Sequence, residues 1–412
     1  MKGLNSRLAI GTALVLGLVP LAATTHAQRA RQQKEAPQPA VKFSKEEQAA
    51  LIPVEKAMTA KDFAAAKAAL AAAQPVVQGA DAKFQYHNFQ LQIGQETNDN
   101  VMFGEGLEGV IASGRLSEAS LPKILRALAS VQIQLKQNEK AEATMTRYLA
   151  INANDADGHI AMYQALINQK KIAPALASLD RAIMLKKAAG ETVPEEWYRV
   201  GSRNAVAGRL APQAAKLGHE WVTAYPKPES WREVLINIRD LTSDRDLELD
   251  VYRLMRATKS LKGDRDYDDF ARALSNAGYP GEMKAVLDEA LAAKAVDAAR
   301  FNPVLASAAT RVANDRPTLA GEEKKALAAA SGGPSLGVGN AYFGYGDYAK
   351  AIELYRTALK KGSVDANVVN TRLGIALALA GQKAEAEAAF KSVGGARSEL
   401  AGYFLVWLAQ RG

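Results

Sequence analysis

The stretch Gly333-Pro334-Ser335-Leu336-Gly337 is a formal match to G-x-S-x-G. That motif makes a nucleophile when a strand delivers the serine into a sharp turn ahead of a helix. Ala326–Ala330 before it reads as helix, so Ser335 is expected to open a helix beside Pro334 rather than to attack a carbonyl. Asp264, Asp266, Asp268 and Asp269 imitate the start of a calcium loop, but Asp269 and Ser275 stand where the loop needs Gly and Glu. Lys262, Arg265 and Arg272 surround these acids, which points to a charge-balanced turn. Asp244, Asp246, Glu248 and Asp250 alternate along a helical stretch and are expected as solvent contacts or caps. His87, His159 and His219 lie far apart, and no H-E-x-x-H occurs. Gly337-x-Gly339 lacks the third glycine of a dinucleotide loop, and G-x-x-x-x-G-K-[ST] is absent. With no cysteine in 412 residues, disulfides, thiolate metal sites, a thiol nucleophile and a lipidated N-terminal cysteine are excluded. No catalytic group, metal site or cofactor is therefore expected.

What remains is helix. Aromatic residues make up only 7% and alanine runs recur, which favours helices packed through small side chains over sheets. Near the C-terminus, Val338-Gly339-x2-Tyr342 is followed by Ala351-x3-Tyr355 and Ala358, and 35 residues on by Leu373-Gly374-x2-Leu377 and Ala386-x3-Phe390. Residues three, four and seven apart share a helical face, so each stripe can be buried. Gly339 and Ala351 are small where two helices must approach, and Gly346-Asp347 supplies a turn and an N-cap. The register recurs upstream. Leu128-Ala129 with Ala141 and Met145 maps 34 residues later onto Met162-Tyr163 with Ala175 and Leu179. Trp197-x2-Val200-Gly201 likewise maps onto Trp231-x2-Val234-Leu235, and Phe270-Ala271-x2-Leu274 with Gly278 and Met283-x3-Leu287 continues the series.

This pattern resembles the tetratricopeptide repeat (TPR) family, whose period is about 34 residues. The resemblance implies an all-α fold, an α-solenoid of about ten helix-turn-helix pairs over residues 43–412, with the clearest repeats at 122–290 and 332–393. The segments 46–115 and 299–330 are more degenerate but still read as helices, with Ala57–Ala73 alanine-dense and Ala80–Gln95 and Asp99–Ser113 a pair. Pro226-Lys227-Pro228, Asp315–Pro317 and Gly332–Pro334 read as loops, the last as a shallow hinge. Residues 397–411 are expected to cap the last repeat, because end repeats need a cover. The competing role is membrane insertion or pairing of two chains, since Tyr403–Leu408 is apolar on every side.

In such a fold the first helix of each pair lines the inner surface. The side chains expected to face a partner there are Arg126, Gln134, Gln164, Asn168, Arg232, Arg239, Arg272, Asn276 and Asn340. Family members that grip C-terminal carboxylates use Lys/Arg and Asn at matching places. Only Asn340 stands at one of them, and Thr371 and Ile375 supply no clamp, so that function does not carry over.

The N-terminus reads as an address. Lys2 and Arg7 precede the apolar run Leu8–Ala23, and Thr25-His26-Ala27 follows, the layout of a secretory signal peptide (residues 1–27) cleaved after Ala27. The competing reading is an uncleaved anchor, but the run is shorter than the ~20 residues that span a bilayer and holds Pro20. Cleavage removes two cations and so turns the net charge of +8 into +6, with both signs interspersed, which does not indicate nucleic-acid binding. Residues 28–42 read as a flexible linker, and no later stretch is apolar enough to span a membrane. The expectation is a periplasmic or secreted, non-enzymatic scaffold that binds a protein or peptide partner on its concave surface in cell-envelope or secretion processes. The alternative is an envelope glycan-binding or glycan-processing subunit on a helical superhelix. A homo-oligomer through the C-terminal helix is a further expectation.

Overall fold

The computed structural model describes residues 42–411; the segment read as signal peptide and all of the linker except Lys42 lie outside the described residues. Among the described residues there are 21 α-helices, two 3-10 turns and no strand. Twenty helices follow one another in ten successive pairs, nine of them packed hairpins and the eighth joined chiefly through the 3-10 turn between its helices, and one helix remains at the end. The contacts divide the chain into two compact units, one ending at Val193 and the other beginning at Pro194, where the sequence suggested a single continuous run.

The N-terminal unit holds α1 (Lys45–Thr59), α2 (Phe63–Ala73), α3 (Ala80–Glu96), α4 (Asn100–Ala112), α5 (Leu121–Gln134), α6 (Asn138–Ile151), α7 (Ala156–Asn168) and α8 (Ile172–Ala188). The alanine-dense stretch Ala57–Ala73 is two helices rather than one. Lys61 turns left-handed at φ 56°, and the Asp62 side chain then caps α2 through the Ala65 N–H. The left-handed residue recurs between the helices of each later hairpin, at Asn98, Lys136 and Lys170, and after Asn98 the Asp99 side chain again caps the helix, through the Met102 N–H. Leu51, Val54, Leu70, Phe89 and Ile93 form the first core cluster; Leu91, Phe103, Leu107, Ile124 and Val131 form the next. Glu47 ties the first hairpin to the second: it completes the cap of α1 with Ser44 and accepts the N–H groups of Gln78 and Gly79 at 2.9 and 2.6 Å. The Gly79 bond leads the interactions that hold its carboxyl below the usual range. Surface ion pairs join successive hairpins at nearly the repeat period, Lys67 with Asp99, Lys140 with Glu108 and Lys171 with Glu142.

The C-terminal unit holds α9 (Glu195–Ala207), α10 (Ala211–Ala224), α11 (Pro228–Leu241), α12 (Arg245–Ala257), α13 (Gly263–Ala277), α14 (Pro280–Ala292), α15 (Ala298–Asp315), α16 (Leu319–Ala328), α17 (Gly333–Gly344), α18 (Tyr348–Lys361), α19 (Ala366–Leu379), α20 (Lys383–Lys391) and α21 (Ser398–Ala409). The degenerate region forms one long and one short helix joined by the 3-10 turn Arg316–Thr318, where a loop was expected. Gly332 is not a hinge. Its N–H bonds the Gly362 carbonyl at 2.8 Å, and a Cβ there would meet the Ala358 carbonyl oxygen at 2.3 Å, so this backbone is packed in place.

The last helix does more than cap the final hairpin. Phe404 stacks on Phe390 of α20, while Tyr403 stacks on His219 of α10 with ring centroids 3.8 Å apart. The Tyr403 hydroxyl donates to the Ala215 carbonyl, and the Gln410 side-chain amide donates to the Val222 carbonyl at 2.8 Å. Further in, α17 packs on α14 and α19 on α12. The unit thus closes on itself. An apolar surface on every side of α21 follows from its having neighbours on two sides, and the face expected to pair two chains is covered from within.

Small residues set how closely the paired helices approach. A Cβ on Gly339 would lie 2.9 Å from the Tyr355 ring, and one on Gly374 would lie 2.5 Å from the Phe390 ring. Gly337, on the same helix as Gly339, has open space around it. Gly337→Ala should therefore stabilise the C-terminal unit by up to about 1 kcal/mol through helix propensity. Gly339→Ala should instead destabilise it by roughly 1–3 kcal/mol, because Tyr355 is buried and cannot give way. Urea midpoints of the two variants, moving in opposite directions from wild type, check this.

Candidate interaction site

The most densely charged place in the C-terminal unit is buried. Asp250, on α12, has no exposed surface. Its carboxylate takes Arg253 Nη1 at 2.8 Å, Arg397 Nη1 at 2.7 Å and Arg372 Nε at 3.4 Å. Arg372 also reaches Asp246 at 2.5 Å, and Arg253 forks onto Glu282 at 3.0 and 2.6 Å while lying over the Phe343 ring. Asp246 and Asp250, four apart, do share a face, so Asp250 is neither a cap nor a solvent contact; Asp244 does cap α12, through the Asp246 and Leu247 N–H groups. Burial by itself would raise the Asp250 carboxyl, but the three guanidiniums outweigh it and hold it below its ordinary value. This is a brace joining α12, α14, α19 and the turn before α21. Nothing in it faces a space where a substrate could sit.

The residues expected on the inner surface separate into two groups. Asn340 is corrected outright. It is 2% exposed, donating to the Tyr279 hydroxyl at 2.8 Å and accepting from Tyr355 at 2.9 Å, because its helix turns that face into the core. Arg232 grips Asp266 through two bonds of 2.6 and 3.3 Å, and Arg239 is tied to Asp240 and lies over the Tyr252 ring. Arg272 is exposed and bound to Asp268 and Asp269, and Asn276 is exposed beyond it. In the N-terminal unit, Arg126 bridges to Asp155 and Asp157 of the following repeat. Gln164 donates to Asn168, which donates in turn to Asn138 at 3.0 Å, and this row stays open to solvent. Gln134, on the preceding helix, accepts from Asn100.

The chemical decoys resolve as structure. Ser335 lies in the first turn of α17, fully buried, its hydroxyl 3.3 Å from the Ala326 carbonyl. Asp266 serves Arg232 and the Lys262 N–H, and Asp264 accepts the Asp297 N–H. His87 pairs with Gln90 and His159 with the Ala153 carbonyl. Among the described residues no group of His, Asp and Glu is placed to hold a metal ion. No helix among them is long and apolar enough to cross a membrane.

In both units, then, hairpins recur at the spacing read from sequence, with Ala141 and Ala175, or Gly339 and Gly374, buried at matching contacts. The fold is TPR-like. No family model and no curated protein matches the chain. Solved structures similar to it include Naa15/Naa10 bound to HypK-THB, at 15% identity and a TM-score of 0.44, covering 86% of this chain and 58% of that one. The chain thus spans less than two thirds of that protein's length. A tetratricopeptide repeat protein from Parabacteroides merdae matches at 10% identity and a TM-score of 0.31, covering 81% of this chain and 100% of its own. The TPR domain of P58(IPK) matches at 12% and 0.25, covering 89% of this chain and 99% of its own. At such values these likenesses bring no partner or activity with them.

Two features of the TPR-like C-terminal unit have measurable consequences. Replacing Asp250 by Asn removes the carboxylate that three buried guanidiniums share, leaves Arg397 with Asp244 only at 3.8 Å, and should destabilise the unit by about 3–5 kcal/mol. All four tryptophans lie in this unit, at 197, 221, 231 and 407, so urea unfolding followed by their fluorescence reads it directly. His219 is held below its usual pKa by burial, against a weaker opposing backbone bond from Glu399. The unfolded chain therefore protonates this ring first. Stability should be full above about pH 6.5 and fall as the pH drops toward the folded-state value. The same pH series on His219→Phe, which keeps a ring against Tyr403, should be flatter between pH 7 and pH 5.

Proposed function

We propose that the chain is an exported, non-enzymatic scaffold that holds a protein or peptide partner, with the N-terminal unit as the contact face. The observation that carries this reading is the row Arg126, Gln164 and Asn168. These side chains sit on the first helices of adjacent hairpins, α5 and α7, and remain accessible to solvent. Their counterparts Arg232, Arg239 and Asn340 are tied into the fold of the C-terminal unit. Amide and guanidinium groups repeated along one face suit backbone and carboxylate groups of an extended or helical segment. Export is supported by Lys2, Arg7, the Leu8–Ala23 run and the small residues before Gln28. The cell envelope is then the place where a partner is met.

A photoreactive residue at 164 should form discrete protein adducts in the native cells, whereas one at Arg265, 87% exposed in the other unit, should not. Arg126→Ala with Asn168→Ala should cut the yield about fivefold or more, as for loss of side chains that anchor an interface. Captured chains should have masses that begin at Gln28. Equal adducts at both positions, or glycan retained with no protein adduct, would overturn the contact face; an intact Met1 in the captured chain would overturn the export.

A further inference from the structure

Where α21 docks, the C-terminal unit leaves a cavity of about 260 Å³ between α9, α10, α11 and α21. Val206, Val234, Ile238, Leu400 and the Tyr403 ring make its walls. Leu241 stands at its edge and, at 73%, is the most exposed large apolar side chain among the described residues. Leu241 thereby extends the apolar surface of the hollow to solvent. The lining contains no lysine, arginine or histidine. Its one carboxylate, on the exposed Glu399, has no ion-pair or hydrogen-bonding partner among the described residues, although the Glu399 backbone bonds His219. The apolar walls raise its pKa above the ordinary carboxyl value by desolvation. Asn237, also on the wall, has an amide with no partner among the described residues.

We propose that this cavity takes one large apolar side chain of a partner peptide whose next residue is lysine or arginine, the cation meeting Glu399. The volume decides the kind of occupant, because sites that enclose a whole small-molecule ligand run to roughly 300–1,000 Å³. A space of about 260 Å³ suits a single anchoring side chain, the usual unit of peptide recognition. Charge decides its neighbour: a carboxylate that is the one charged group of the lining favours a cation and disfavours an anion. Asn237 can bond the peptide's backbone as the anchor enters. This rests on the reading of the chain as a peptide-binding scaffold, but it concerns the other unit.

The test uses the mature chain and three synthetic peptides, acetyl-Gly-Phe-Lys-Gly-amide, the same with Glu for Lys, and the same with Ala for Phe. Methyl shifts of Val206, Val234, Ile238 and Leu400 are followed by NMR. The Phe-Lys peptide should move these methyls saturably and bind about tenfold more tightly than Phe-Glu, with Ala-Lys weaker still. Glu399→Gln should remove the preference for Lys over Glu while leaving Phe binding in place. Ala211→Trp, placed at an exposed position on the cavity's edge, should block all binding without disturbing the fold. Absence of methyl shifts with Phe-Lys, equal affinity for the three peptides, or phenethylamine binding as tightly as Phe-Lys would overturn the proposal. Because adducts at position 164 are read in the other unit, failure here and failure of the contact face there are told apart.

Discussion

Everything in the C-terminal unit depends on neutralising one carboxylate. Asp250 has no access to water, and isolated charge of that kind is expensive enough to expel its helix from the interior. Three guanidiniums from α12, α19 and the turn before α21 converge on it, and all three are themselves more than nine-tenths buried. A single ion pair would hold two elements. This arrangement holds four, since Arg253 passes the interaction on to Glu282 of α14. Apolar packing brings the helices together here, but the directional demands of the charges determine which helix faces which. Replacing such a network with hydrocarbon often preserves stability, so its value lies in specifying one closure over others.

Much of the architecture is visible in the residues alone. The 34-residue offsets locate the hairpins because buried stripes and close contacts leave a periodic imprint whatever lies at the surface. The terminal helix announces itself through apolar residues on every side, although that pattern cannot say which second neighbour covers it. The polar interior is harder to read. Asp250 reads as one more acid in an alternating series, and Asn340 as a surface amide, because periodicity ranks residues by polarity while burial here depends on partners in other helices, over 100 residues away for Asp250 and 61 and 15 away for Asn340. One signal was present. Arg372 is the one charged residue of the helix Ala366–Leu379, followed by the apolar run Leu373–Leu379, and a guanidinium there must find a carboxylate.

The two units share a repeat but use their polar residues differently. In the N-terminal unit the cations and amides of the first helices bridge neighbouring hairpins at the surface, as Arg126 does with Asp155 and Asp157. In the C-terminal unit Arg232, Arg239 and Asn340 are drawn inward and engaged with the protein itself, while Arg272 and Asn276 stay exposed. The apolar hollow beside α21 is a surface of a different kind. On the two readings proposed above, a common scaffold would offer two distinct recognition chemistries, one by amides and guanidiniums, the other by hydrocarbon and a lone carboxylate.

The contacts of Tyr403 and Gln410 with α10, 188 residues earlier, also govern how this unit can form and how it can change. An open repeat array grows by propagation from any hairpin, and its stability is nearly a sum over neighbours. Joining the ends adds a term that no partial array contains, together with a long loop-closure entropy, which makes folding slower and more all-or-none. Lineages of open arrays gain and lose repeats freely. Here a deletion of one hairpin would leave α21 out of register with His219 and separate Arg372 and Arg397 from Asp250, so the number of repeats in this unit is fixed by its own topology.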